Sequence, residues 1–100
     1  MKKSPAFPRA KEINILLADD DEDDCALFKE ALEELDLPVQ LTTVPNGEQL
    51  LERLGKNQKK LPHVLFLDLN MPRKNGFAAL LAIKLNKKLE KIPVIIFSTS

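Results

Sequence analysis

The sequence predicts an α/β domain with a parallel sheet and helices on both of its faces. Three observations lead there. Short apolar runs at residues 13–18, 64–67 and 93–97, and a β-branched, partly alternating one at 39–44, alternate with stretches of helical spacing. The connectors are short, which favours right-handed crossovers between parallel strands. Two of the runs end in acid, at Asp19-Asp20 and at Asp68. Ligands of parallel sheets gather just beyond the carboxyl ends of their strands.

Residues 1–12 hold two prolines and five charged residues without an apolar period, and read as a lead-in. The domain is expected over 13–100. Its first strand, Ile-Asn-Ile-Leu-Leu-Ala at 13–18, runs straight into Asp19, Asp20, Asp21, Glu22, Asp23 and Asp24. Helical spacing follows, with Leu27, Phe28, Ala31, Leu32 and Leu35 on one side and Lys29, Glu30, Glu33 and Glu34 on the other. Acids in the first turn suit the positive end of the helix dipole, and Pro38 closes the helix. Residues 39–44 carry β-branched side chains and partial alternation, which reads as a second strand. Asn46 caps a short helix containing Leu50, Leu51 and Leu54 that ends at Gly55. After a polar connector, His63 begins the third strand and Asp68 ends it. Pro72 and Gly76 then break the chain into a loop. Phe77, Leu80, Leu81 and Leu85 mark one face of a very apolar third helix, with Ala78, Ala82 and Ile83 beside it. Residues 87–91 read as polar, and Pro-Val-Ile-Ile-Phe at 93–97 is the fourth strand.

Composition narrows the function classes. With 100 residues and an apolar share of 44%, the chain supports one small core. Fifteen basic and fifteen acidic residues cancel, which argues against nucleic acid or an anionic membrane as partner. The absence of Trp and Tyr removes the usual stacking anchors of sugar and single-strand sites. The single cysteine, Cys25, forms no intrachain disulfide and fits a reducing compartment. No apolar run is long enough to span a bilayer, and the basic start has no apolar segment behind it, so a cytoplasmic protein is expected.

Carboxylates crowded at two neighbouring strand ends repel one another, and must protonate or share a cation. Oxygen donors without His or Cys favour magnesium. Asp19, Asp20 and Asp68 would supply the charge, and a backbone carbonyl such as that of Asn70 another oxygen. Asp68 then has an oxygen free to act as a nucleophile on a phosphoryl group. Asp21 to Asp24 read instead as a solvated, helix-starting cluster.

These pieces stand in a fixed order: strand then Asp-Asp, strand then Asp-x-Asn-x-Pro-x-x-x-Gly, strand then Ser-Thr. In Leu16-Leu-Ala-Asp-Asp20, Val64-Leu-Phe-Leu-Asp-Leu-Asn-Met-Pro72 with Gly76, and Pro93-Val-Ile-Ile-Phe-Ser-Thr99, the chain resembles the response-regulator receiver domain of two-component signalling. The resemblance covers residues 13–100. It implies a flavodoxin-like, doubly wound sheet, here in the order 2-1-3-4. It implies that Asp68 takes a phosphoryl group from a histidine kinase or phosphotransfer partner. Asp19 and Asp20 would ligate magnesium, with Asn70 ligating through its main-chain oxygen. Ser98 would be the switch hydroxyl that bonds the phosphoryl group, and Thr99 the small residue that shapes access. The family continues with a fourth helix, a fifth strand ending in lysine and a fifth helix. Lacking these, the sequence leaves its fourth strand as an open edge, a route to a homodimer.

Two other functions compete. An aspartate-nucleophile phosphatase of the haloacid-dehalogenase type wants an acid two positions after the nucleophile, where this chain has Asn70. An interaction fragment would fold or oligomerise without chemistry. Among the remaining residues, His63 reads as structural, Cys25 as a packed or idle thiol, and Gly76 as the place where loop and helix come close.

Overall fold

Burial on both faces makes strands of the central runs, and in the computed structural model the four strands lie side by side. The structure describes residues 12–56, 60–71 and 75–98. The elements are β1 (Ile13–Ala18), α1 (Glu22–Glu33), β2 (Val39–Val44), α2 (Gly47–Lys56), β3 (Val64–Asp68), α3 (Gly76–Lys84) and β4 (Val94–Phe97). All the strands are parallel, in the order β2-β1-β3-β4. This is the flavodoxin-like arrangement expected from the sequence. Ala18 pairs with Val44 and Leu67, and Asp68 pairs with Phe97, so the strand tips are level.

Side chains alternate across the sheet. Leu16, Ala18, Val44, Leu65 and Leu67 meet Leu50 and Leu54 of α2 and Ala79 and Ile83 of α3 in one core. Phe66 takes the other face, where its ring meets that of Phe28 edge-on at 4.9 Å. That contact places α1 opposite α2 and α3. Ile15 and Leu17 are buried on the α1 side, yet α1 itself has no buried residue, and Leu27 is 64% exposed.

Each helix start is set by a short polar side chain. Asp21 caps α1, accepting from the backbone N–H groups of Asp23 and Asp24, with Glu22 following in the acidic first turn. Asn46 accepts from the Gln49 N–H at 2.8 Å, and Asn75 from the Ala78 N–H at 2.8 Å. At the amino ends of the strands, His63 is a structural link. Its Nδ1 accepts from the Asn14 N–H, and its own N–H donates to the Asn14 carbonyl.

Two expectations need correction. Of the α3 face marked by Phe77, Leu80, Leu81 and Leu85, only Leu80 packs against the core; the other three turn outward, and Gly76, Ala79 and Ile83 are the buried residues. The helix is apolar nearly all round, so spacing alone does not orient it. The stretch 87–91 is not wholly polar in role, because Leu89 is buried beside Ile92 in the same core. Asn86 shapes the turn that brings Leu89 inward, its Oδ1 accepting from the N–H groups of Lys88 and Leu89.

A cavity of about 580 Å³ lies at the amino ends of the strands, between Asn14, Gln40 and Leu61. Arg53, Lys56 and Lys60 line it. The acids lie at the opposite end of the sheet.

Candidate phosphoacceptor and metal site

The order of the sheet makes β1 and β3 neighbours, and both carry acid at their carboxyl tips. Asp68, the last residue of β3, is fully buried, and Asp19, the first after β1, is 4% exposed. Asp20 stands at the surface beside them. One carboxylate oxygen from each of Asp19, Asp20 and Asp68 lies within 4.8 Å of the others. Thus the structure brings together the acids picked out in the sequence.

Local bonds fix the geometry. The Asp21 N–H donates to Asp19 Oδ1 at 3.0 Å, turning the chain from β1 into α1. The Asn70 N–H donates to Asp68 Oδ1 at 2.9 Å, a turn closed by the side chain two residues back. The Leu69 N–H donates to the Phe97 carbonyl at 3.0 Å and ties the β3 tip to β4. Gly76 packs against this turn. A Cβ there would sit on the Asp68 carbonyl oxygen and 2.6 Å from Leu69 Cα. Glycine is therefore required by contact with the acid-bearing backbone, as the loop pattern led us to expect.

Burial holds the Asp19 carboxyl above the usual carboxylate range, offset in part by the Asp21 N–H and reinforced by Asp68, Asp24 and Asp20. The Cys25 thiol is likewise pushed up, first by burial and then by Asp19 and the neighbouring acids. Its Sγ lies 3.7 Å from the Asp19 carbonyl oxygen, a weak donor contact, so Cys25 is packed rather than reactive. The site's donors are carboxylate oxygens of like charge at ligand spacing. They suit a hard divalent cation, and His63, at the far end of β3, does not take part.

Ser98 follows β4 and receives a hydrogen bond from Asn70 Nδ2 at 3.1 Å. From sequence, Asn70 is a ligand through its main-chain oxygen, and its side chain counts only against a phosphatase. Its bond to Ser98 is not legible there, because the partner lies 28 residues away along the chain. Thr99 and Pro72 lie outside the described residues.

A four-strand parallel sheet with an acid pocket at the tips of its two central strands defines a receiver-type α/β domain. The family described as "Response regulator receiver domain" matches residues 15–100, and the chain belongs to it. Among curated proteins, it is 33% identical over 90 residues to the response regulator Rcp1 of Synechocystis, a match covering 86% of this chain and 61% of that protein. The chain thus spans less than two thirds of that relative. Among solved structures, the phosphorylated cyanobacterial phytochrome response regulator RcpA superposes with a TM-score of 0.84 at 33% identity, over 90% of this chain and 67% of that one. The Mn(2+)-bound form of Rcp1 gives a TM-score of 0.82 at 32% identity, over 88% and 66% of the two chains. Among the described residues, no helix is long and apolar enough to cross a membrane.

Proposed function

We propose that residues 13–100 form a phosphoacceptor receiver in a two-component phosphorelay, preceded by a lead-in over 1–12. A histidine kinase or phosphotransfer protein is the donor. An Asp68 carboxylate oxygen attacks phosphorus, an O–P bond forms, and the P–N bond to the donor imidazole breaks. Asp19, Asp20, Asp68 and the main-chain oxygen of Asn70 would hold magnesium. When bound, that ion offsets charge on the carboxylates and the phosphoryl oxygens. Ser98 donates to the phosphoryl group and Thr99 borders its entry. The domain acts as a switch and catalyses only its own phosphorylation and dephosphorylation. The lone thiol of Cys25 and the absence of an apolar span support a cytoplasmic setting.

The observation that carries this reading is the meeting of the buried Asp68 with Asp19 and Asp20 within 4.8 Å. The relatives support it: one solved structure is of a phosphorylated regulator and another of a Mn(2+)-bound one. Incubation with magnesium and a small-molecule phosphodonor tests it by intact mass. The expected result is a gain of one phosphoryl group, absent in Asp68→Asn. An unchanged mass in the native chain would refute it, and repeated turnover of donor would point to a phosphatase.

A second reading concerns self-association. Ile95 and Ile96 lie on opposite faces of β4, the outermost of the described strands, and are each nearly half exposed. Pairing of two copies across β4 would satisfy the backbone groups along its outer edge. Sedimentation over a range of concentrations should then show a monomer–dimer equilibrium, and a monomer throughout would exclude it.

A further inference from the structure

Asn70 stands two residues past the proposed phosphoacceptor, and its main chain is pinned by the bond from its N–H to Asp68 Oδ1 at 2.9 Å. Ser98 is pinned from the other side. It directly follows Phe97, whose carbonyl accepts the Leu69 N–H at 3.0 Å. Between these two anchored backbones, Asn70 Nδ2 donates to Ser98 Oγ at 3.1 Å. The direction of that bond matters. A carboxamide nitrogen only donates, and a serine hydroxyl has one proton and two acceptor lone pairs. With Asn70 occupying a lone pair of Oγ, the proton of Ser98 remains free to turn toward another acceptor.

We propose that Asn70 is a positioning residue that orients the Ser98 hydroxyl as a donor to the group arriving on Asp68. The inference rests on the receiver reading above. The carboxamide fixes Oγ in place and withholds no proton from it. An acceptor at the same position would do the reverse and claim that proton. Asn70 therefore serves through its side chain as well as through the main-chain oxygen assigned to the cation, and the two roles are separable by substitution. Changing the side chain leaves the carbonyl in place.

The test is a titration with beryllofluoride in saturating magnesium, read by fluorine NMR, with magnesium affinity measured separately. Native protein is expected to bind the mimic, and Asp68→Asn is not. Asn70→Ala should weaken binding of the mimic at saturating magnesium by roughly threefold to tenfold, the range of one hydrogen bond. Asn70→Asp should weaken it further. In a Ser98→Ala background, Asn70→Ala should add less than about twofold, because neighbours that act together are not additive. Thermal melts of each variant check that it is folded.

Equal losses from Asn70→Ala with and without Ser98 would overturn the inference while leaving the receiver reading intact. So would binding by Asn70→Ala as tight as native. Failure of the native chain to bind the mimic at all would overturn both.

Discussion

The two faces of the sheet are built from the same alternating strands, yet they are filled differently. On one, α2 and α3 close over Leu65, Leu67 and Leu16, with Leu50 and Ile83 fully buried. On the other, α1 lies over Ile15 and Leu17 without burying a residue of its own, and Phe28 reaches Phe66 edge-on. An apolar stripe shows that a helix has something to cover. It does not show how completely the covering is done. Stability should therefore reside mainly on the α2–α3 face, with α1 the easier element to loosen.

The largest effect tests the join between the filled face and the site. Gly76→Ala forces a methyl group onto the Asp68 carbonyl and should cost at least about 3 kcal/mol, the upper end for overpacking, because backbone yields less than side chains. Chemical denaturation measures the loss, and magnesium affinity should fall with it. Next comes the direct contrast between faces. Ile83→Ala should lose about 2–5 kcal/mol as a fully buried deletion. Phe28→Ala, at a partly buried site, should lose roughly 1–2 kcal/mol despite removing more atoms. Equal losses would mean that α1 is as firmly seated as α3.

A smaller effect separates the site from both faces. In the fold the Asp19 carboxyl is raised, so the folded state holds its proton more tightly than the unfolded chain does. Below the ordinary carboxylate range both states are protonated and the group contributes no pH dependence. As pH rises through the ordinary value and on through the raised folded value, the folded state loses stability. Thermal melts without divalent cation should show this decline between acid and neutral pH, and Asp19→Asn should flatten it. The smallest effect is expected at Leu81. It is 54% exposed on the outward stripe of α3, and Leu81→Gln should change stability by no more than about 0.5 kcal/mol. A large loss there would mean that the stripe is covered in solution.

Much of the architecture was legible in the sequence because buried parallel strands leave a strong signal. An uninterrupted apolar run such as Leu65 to Leu67 has few other places to go. Asp19, Asp20 and Asp68 were legible as a group because parallel strands put their carboxyl ends at one edge. The orientation of α3 was not, since residues 77–83 offer no polar side from which to judge. Leu89 was hidden because one apolar residue among charges has no period, and its inward turn depends on Asn86. The Asn70–Ser98 bond depends on the register of β3 against β4, which no local pattern encodes.

A formal charge of zero conceals an uneven distribution. Asp19 to Asp24 crowd one pole, while Arg53, Lys56 and Lys60 ring the cavity at the other. The contrast is local, because α1 runs from those acids back to Glu33, and Glu34 and Asp36 follow toward the basic end. A basic surface would feel the aspartates only at short range. Added salt should therefore weaken any such contact at the acid end, even though the overall attraction it screens is slight.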